Sequence, residues 1–291
     1  MNPIQLAGRS LIRSLAIAAL FCITAAAAGA GSVAMVTDLS GMVTTQETDS
    51  GDQSKALRIL QRIRPGTIIS LSAESYVTLH YPATRTDFRF QGPNVIRVSE
   101  GAAVGSEGSA ETRQHGDIGV SLDTSDTDLG AIAMRSLGDF SPELRLSNPV
   151  DTIVLLSRPT EFKWQSDPEF KDFQFTLATE SGQPVISTFT GDARVLLPHG
   201  VNLEPNTGYR WSVRADTADG RSSLATADFS TASTDIEARF FRLSILNRGE
   251  ISDRVLYSLY LDALGLHIEA DAARQALESI RPGISGESSI R

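Results

Sequence analysis

The chain has 291 residues, of which 41% are hydrophobic and 21% are charged, proportions that are ordinary for a folded globular protein. A chain of this length is expected to form about two domains. The formal net charge of −9 at pH 7 argues against nucleic acid as a partner, because nucleic-acid binding depends on a basic surface.

The first thirty residues have the pattern of a secretory signal peptide. Arg9 and Arg13 precede an apolar run at 14–28, and small residues at 28–30 form a cleavage site. We expect cleavage after residue 30 and a periplasmic location. An inner-membrane anchor formed by the uncleaved segment is the alternative, although the run is shorter than the ~20 residues that span a bilayer.

The one cysteine of the chain, Cys22, lies in this segment. After cleavage no disulfide, thiol nucleophile or cysteine metal ligand is left, so no disulfide-linked partner is expected. Lipidation of Cys22 is a further alternative, but Phe21 stands before it, where lipoproteins have a small residue. Cleavage would also remove the positive charges of Arg9 and Arg13, which lowers the net charge from −9 to −11.

Residues 31–105 predict a domain of short β-strands, because apolar and polar side chains alternate between turn signals. The strand "SYVTLHY" has one apolar face, and Thr78 and His80 point to the other. The segment "QSKALRILQRI" predicts either one or two helical turns or an extended linker. The apolar side chains that define the strands are Ile69, Leu71, Val77, Leu79, Tyr81, Phe88, Phe90, Ile96 and Val98.

The order of these motifs, from Val33 to Val98, resembles the periplasmic domain of FecR-type proteins. The resemblance rests on a valine-glycine-valine opening, on the turn and strand at 65–68, and on the strand pair "SYVTLHY" and "FRFQGPNVIRV". It implies an extracytoplasmic β-domain. Signalling members of that family carry a cytoplasmic segment ahead of a membrane span, and we expect no such segment here, so regulation of a sigma factor is not carried over.

Residues 106–139 are rich in Gly, Ser, Thr and Asp, which predicts a flexible linker. His115 and nearby aspartates offer metal-ligand chemistry, but no calcium-loop spacing with a closing glutamate occurs. We therefore expect a solvated acidic loop and no metal site. The aspartates are Asp117, Asp123, Asp126 and Asp128.

Residues 140–232 predict a second β-domain, and its stretch "VNLEPNTGYRWSVRADTADG" could be either a binding platform or a core strand. Tyr209, Trp211 and Val213 share one strand face, while Arg210 and Arg214 share the other. This alternation favours a core face opposite a solvent face. We therefore expect the two aromatic rings to be buried and the two arginines to be exposed.

The same domain resembles a fibronectin type III sandwich. Leu203, Pro205 and Tyr209 have the spacing of a tyrosine corner, in which the tyrosine hydroxyl bonds back to the main chain. The motif P-x-x-F-x-W at 159–164 and the closing strand at 229–231 belong to the same resemblance. It implies two packed antiparallel sheets.

Residues 233–283 change to a helical period and predict a hairpin of short helices, followed by a disordered tail at 284–291. Thr234 with Glu237 predicts a capping box for the first helix. Ser252 is the predicted cap of the second helix, and Gly265 its predicted end.

Ala270, Ala273 and Leu277 are the apolar residues of the last predicted helix, which Pro282 ends, and this pattern resembles a single tetratricopeptide unit. One such unit is not expected to be stable alone. Its helices must therefore pack on the neighbouring sandwich or on a partner protein. The short tether after Thr231 favours the sandwich, an arrangement that we name the cap. The apolar residues concerned are Phe240, Phe241, Leu243, Leu246, Val255, Leu256, Leu259 and Leu264.

The sequence contains no motif of the common hydrolases, metalloproteases or nucleotide-binding proteins. The four histidines, His80, His115, His199 and His267, are scattered singly, and we expect them to be solvated. We therefore predict no catalytic, cofactor-binding or metal-ligating residue, although acids far apart in sequence could still form a glycosidase pair.

The chain is therefore predicted to be mainly β, with a FecR-like β-domain, a fibronectin type III-like sandwich and a C-terminal α-helical hairpin. The expected function is non-enzymatic binding or scaffolding in the cell envelope, with a protein partner held through the C-terminal helices. Two alternatives remain open. One is a sensory envelope component of FecR type, and the other is a polysaccharide-active accessory protein or enzyme.

Overall fold

A computed structural model describes residues 31–47, 54–117, 119–122, 144–198, 200–217 and 220–281. The signal peptide, Cys22, Asp123, Asp126, Asp128, His199 and the tail after residue 281 lie outside this described part of the chain. The described residues belong to one compact unit that begins at Gly31. They are mainly β with a few C-terminal helices, so the predicted fold class is confirmed.

Ten strands form the first β-domain, namely β1 (Ala34–Ser40), β2 (Val43–Gln46), β3 (Lys55–Ala56), β4 (Arg62–Ile63), β5 (Ile68–Leu71), β6 (Tyr76–Tyr81), β7 (Thr86–Gln91), β8 (Asn94–Val98), β9 (Ala103–Gly105) and β10 (Glu111–Gln114). They make two five-stranded sheets, with strand orders β10-β7-β6-β1-β4 and β3-β2-β5-β8-β9. Both sheets contribute to one core, in which Val77, Leu79 and Tyr81 are buried as their alternation predicts.

Strand β10 extends the first β-domain beyond residue 105, so the predicted flexible linker does not begin there. It pairs antiparallel with β7 and places Arg113 opposite Asp87. The sequence conceals this edge strand, because all four of its residues are polar and exposed and give no apolar alternation. The segment "QSKALRILQRI", which predicts either helical turns or an extended linker, contains the two short strands β3 and β4.

Eight strands form the second β-domain, namely β11 (Leu144–Asn148), β12 (Ile153–Val154), β13 (Glu161–Ser166), β14 (Phe173–Thr179), β15 (Pro184–Thr190), β16 (Arg194–Leu196), β17 (Gly208–Asp216) and β18 (Ser222–Thr231). They make a β-sandwich of two sheets, with strand orders β11-β13-β16 and β12-β18-β17-β14-β15. Phe162 and Trp211 meet at the centre of its core, with ring centroids 5.2 Å apart.

Three helices follow the sandwich, α1 (Thr234–Leu243), α2 (Ile251–Ala263) and α3 (His267–Ile280), with a short 3-10 turn at Leu246–Arg248. Gly265 lies just after α2 with a φ of 76°, a left-handed value that suits glycine, so the predicted end of this helix is confirmed.

The predicted helix caps are wrong. Ser233 rather than Thr234 caps α1, and its side chain accepts a hydrogen bond from the backbone N–H of Ile236. The Glu237 carboxylate accepts instead from the backbone of the 156–157 loop in the sandwich. Glu250 rather than Ser252 caps α2, in a capping box with residue 253. Tertiary contacts therefore decide which of several suitable side chains serves as the cap.

The helices pack against both β-domains. Their apolar core includes Met35 from β1, Leu155 after β12 and Ala232 after β18. Beyond α2, the carbonyl of Gly265 accepts hydrogen bonds from the hydroxyl of Thr152 at 3.1 Å and from a backbone N–H of β12 at 2.9 Å. The helices thus cover part of the sandwich, as in the predicted cap, and also one face of the first sheet.

Candidate functional site

Tyr209 and Trp211, the aromatic pair of "VNLEPNTGYRWSVRADTADG", belong to the core of the sandwich. The hydroxyl of Tyr209 accepts a hydrogen bond from the backbone N–H of Glu204 at 2.8 Å, which closes the predicted tyrosine corner. Nε1 of Trp211 donates to the carbonyl of Pro149 at 2.7 Å. Both rings are buried, while Arg210 lies on the exposed face of β17. This stretch is therefore a core strand and not a binding platform.

Two of the four histidines meet at one carboxylate, that of Asp87. Nδ1 of His80 lies 2.8 Å from Oδ1 of Asp87, and Nε2 of His115 lies 2.7 Å from Oδ2. All three side chains are buried or nearly so. The expectation that these two histidines are single and solvated is therefore wrong. Asp87 is a residue of this cluster that the sequence analysis did not identify.

The strand register assembles the cluster. His80 and Asp87 are directly opposite each other in the β6–β7 hairpin, and such cross-strand pairs place their side chains on the same face of a sheet. His115 follows β10, on the other side of β7, and its backbone N–H donates to the carbonyl of Arg85 at 2.8 Å. Three neighbouring segments thus converge on the sheet face that also contacts the helices.

Asp87 is a charged carboxylate at neutral pH. Burial by itself would raise the pKa of Asp87, but hydrogen bonds from His115 and His80, together with their charge, lower it well below its usual range. Each carboxylate oxygen therefore accepts from one imidazole N–H. Nδ1 of His80 is engaged by Asp87, whereas its Nε2 is buried and has no hydrogen-bond partner in the described structure.

Arg113 extends the cluster to helix α2. Its Nη2 lies 3.2 Å from Oδ2 of Asp87, and its Nη1 lies 3.1 Å from Oδ2 of Asp253 in the first turn of the helix. The Ser252 hydroxyl accepts a longer hydrogen bond from Nη2 at 3.4 Å. The cluster therefore connects the first sheet to the helices by charge-assisted hydrogen bonds.

His80, Asp87 and His115 also form a group that could hold a metal ion. Each offers one ligand atom, and these three atoms lie within 4.8 Å of one another. Imidazole nitrogen and carboxylate oxygen are ligands that zinc and related transition metals accept. These three residues are therefore candidate ligands, while the prediction of no metal-ligating residue stays a prediction. Asp117, the other described residue of the predicted acidic loop, is exposed and pairs with Arg85 at 2.7 Å.

A second polar feature is a cavity of about 300 Å³ beside the start of α3. It brings together acids that are far apart in sequence, as a glycosidase pair would be, and residues of the sandwich and of the C-terminal helices line it. One of its acids is engaged by Arg210 at 2.7 Å, and its histidine by Asp262 at 3.0 Å. The ionisable residues that line it are Asp151, Glu180, Asp228 and His267.

Most apolar side chains of the helices are covered, and one face is not. Phe240, Leu243, Val255, Leu256 and Leu259 are buried, and Leu246 and Leu264 are partly buried. Phe241 and Ile245 are exposed over 61% and 74% of their surface. We name these two side chains the α1 face.

Comparison with known proteins gives no family. No protein-family model matches the chain, and no curated protein sequence matches it. The resemblance of the first β-domain to FecR-type proteins therefore stays a prediction. Among the described residues, none of the helices has the length and apolarity that a membrane span requires.

Several solved structures are similar to parts of the chain. CopC from Methylosinus trichosporium OB3b is 15% identical over 31% of this chain and 93% of its own, with a TM-score of 0.24. The fn3 domain of human collagen alpha-1(XX) chain is 19% identical over 35% of this chain and 94% of its own, with a TM-score of 0.24. A beta-1,2-glucanase from Parabacteroides distasonis is 15% identical over 75% of this chain and 30% of its own, with a TM-score of 0.23.

Proposed function

We propose that this protein is a non-enzymatic binding or scaffolding protein of the periplasm that holds an envelope protein through its α1 face. The observation that carries the proposal is the exposure of Phe241 and Ile245. The two residues are four positions apart in a helical segment, so their side chains share one side. Leu243, between them in sequence, is fully buried on the opposite side.

The α1 face is an apolar part of the helical surface that the described residues leave uncovered, and Ile280 at the end of α3 is a further exposed apolar side chain. Single exposed apolar residues are ordinary, but an aromatic and an aliphatic side chain side by side on a helix suit insertion into an apolar groove. Aromatic side chains are enriched at protein–protein interfaces, because they bury a large area at a small entropic cost. The face therefore has the composition of a small contact site.

The charges beside the face indicate which partner it fits. Arg242 and Arg248 are both exposed, although the whole chain has a net charge of −9. A positive border on an acidic protein favours a partner whose apolar groove is bordered by aspartate or glutamate, since complementary charges guide association. We therefore propose an acidic envelope protein as the occupant.

The domain assignments and the compartment are part of the same proposal. The strand orders of the sandwich and its tyrosine corner support a fibronectin type III-like domain. The signal pattern at 1–30 and the lack of cysteine after it support export to the periplasm. The FecR-like assignment of the first β-domain is supported by its sequence motifs.

Retrieval of the partner by the immobilised protein tests the function. In one variant both residues of the α1 face are replaced, Phe241→Ser with Ile245→Ser. The matched control, Phe189→Ser with Leu224→Ser, replaces two exposed apolar residues in the five-stranded sheet of the sandwich. We expect the control and the wild type to retrieve the same envelope protein and the α1 variant to lose it. Loss in the control, with retention in the α1 variant, would contradict the proposal.

A sensory component is the second candidate, and the contacts of Arg113 favour it. This residue joins the first β-domain to α2, so a change in that domain would reach the helices that carry the α1 face. Under this alternative Arg113→Ala changes the affinity for the partner, whereas a passive scaffold keeps its affinity. Titration of the retrieved partner against the two proteins distinguishes the candidates.

A further inference from the structure

We propose that His80, Asp87 and His115 bind one divalent transition-metal ion of the zinc type. The site lies in the first β-domain and goes beyond the proposed function, because it is separate from the α1 face. Its test requires no partner, so the failure of either proposal leaves the other standing.

The geometry of the three side chains is close to that of a metal site. Their ligand atoms lie within 4.8 Å of one another. Zinc holds nitrogen and oxygen ligands at about 2.0–2.2 Å, which separates the ligand atoms of a tetrahedral site by roughly 3.4 Å. The ligand atoms must therefore move only about an ångström to surround one ion, while the strand register holds the backbone in position.

The charges at the site favour a cation. Two nearly buried carboxylates, of Asp87 and Asp253, share the one guanidinium of Arg113, so they carry one more negative charge than this arginine balances. A buried charge needs a partner, and a bound cation supplies it. The other charged groups near the cluster form exposed pairs that cancel, namely Arg85 with Asp117 and Arg89 with Glu250.

His80 gives an independent indication. Its ring is fully buried and its Nδ1 is held by Asp87, yet its Nε2 has no partner among the described residues. A buried ring nitrogen without a partner is costly, because it has lost its hydrogen bond to water. An imidazole with one nitrogen held by a carboxylate is also the usual state of a metal-binding histidine. An ion shared with Asp87 and His115 would replace the contact at Nδ1, because that side of the ring faces the other two ligands.

The ligand types define which ions fit. Two imidazoles and one carboxylate suit Zn²⁺ and Co²⁺, whereas Ca²⁺ and Mg²⁺ prefer oxygen ligands throughout. Three protein ligands also leave a coordination position for water. We therefore expect binding of Zn²⁺ and Co²⁺ with one ion per chain, and no binding of Ca²⁺ at the same site.

The test uses protein produced without a histidine tag and dialysed against a chelator. Isothermal titration with Zn²⁺ measures affinity and stoichiometry, and thermal denaturation measures stabilisation, which must grow with the concentration of free Zn²⁺. We expect one ion per chain, a higher melting temperature with Zn²⁺ and no change with Ca²⁺. Absence of heat and of a melting shift with Zn²⁺ would overturn the proposal.

Variants locate the site. His115→Ala should lose Zn²⁺ binding, whereas His267→Ala, which removes a histidine bonded to Asp262 elsewhere, should keep wild-type affinity. Wild-type affinity in His115→Ala, or loss of binding in His267→Ala alone, would contradict the assignment. If His115→Ala does not fold, X-ray absorption of zinc-loaded wild-type protein decides instead. Two imidazole ligands support the site, and a first shell without imidazole overturns it.

Discussion

Nη1 of Arg113 on β10 donates to Oδ2 of Asp253 on α2 at 3.1 Å, across 140 positions of sequence. This contact joins the first sheet to the helices. The helices are joined to the sandwich in turn, because Gly265 bonds to residues 152 and 153. Among the described residues, the C-terminal helices therefore contact both β-domains, while their α1 face stays exposed.

Arg113→Ala removes the cation that Asp87 and Asp253 share. We expect the free energy of unfolding to fall by about 1–3 kcal/mol, less than for a fully buried pair, because the Arg113 side chain is 43% exposed. Urea denaturation measures the change. Arg214→Ala is the control, since it breaks only an exposed pair and should change stability by less than ~0.5 kcal/mol. Equal effects of the two substitutions would show that the connection has no special role.

Trp211→Ala tests whether strand β17 belongs to the core of the sandwich. The ring is fully buried among other aromatic rings, so we expect a loss of about 3–5 kcal/mol of unfolding free energy. Arg210→Ala breaks an exposed pair with Asp228 and should leave the unfolding free energy almost unchanged. A tryptophan variant that melts like the wild type but loses its partner would make this strand a binding platform after all.

Deletion of 234–291 tests the cap. The truncation uncovers Met35, Leu155 and Ala232, which are buried against the helices. We expect the remaining chain to melt at a lower temperature or to aggregate, because a newly exposed apolar patch promotes association. Thermal denaturation and light scattering measure both effects. A truncated chain as soluble and stable as the whole protein, but unable to retrieve its partner, would mean that the tail serves interaction alone.

The buried carboxyl of Glu269 should make the stability of the folded protein depend on pH. Burial raises the pKa of this carboxyl, and its own backbone N–H and Arg158 at 3.9 Å oppose the rise only in part. Because the folded-state pKa is higher than the unfolded one, the folded protein favours the protonated acid, and stability is lost as pH rises through the folded pKa. Glu269→Gln should therefore raise the melting temperature at pH 7–8, with the gain disappearing toward pH 4.

Glu161 offers the control for this prediction. Its carboxylate bonds to Lys163 at 2.8 Å and is less buried than that of Glu269, so Glu161→Gln should give no gain. The same melting temperature for the wild type and Glu269→Gln at both pH values would show that burial of this acid does not destabilise the protein.

Local patterns predicted the strands whose side chains alternate. Tyr209, Trp211 and Val213 lie in the core as period two requires, and the tyrosine corner follows from a spacing of a few residues. Strand β10 escaped prediction because it is a polar edge strand. The helix caps were misplaced, because Ser233 and Glu250 compete with neighbours of similar chemistry and the choice depends on tertiary contacts.

Only two of the three residues of the histidine cluster could be brought together by sequence reasoning. The hairpin between β6 and β7 is short, so its register would have placed His80 opposite Asp87. His115 is 28 positions from Asp87 and reaches it only because β10 pairs with β7. The amino-acid composition of 106–117 gives no indication of that pairing. The burial of the cluster depends further on α2, which is more than 130 positions away in sequence.

The most direct test of the central claim is photo-crosslinking from the α1 face in intact cells. A photoreactive phenylalanine analogue replaces Phe241 in one strain and Phe189, which is 75% exposed on the edge strand β15, in another. After irradiation we predict one discrete adduct between this protein and an envelope protein from position 241, and none of that mass from position 189. No adduct from position 241, or the same adduct from both positions, would contradict the account.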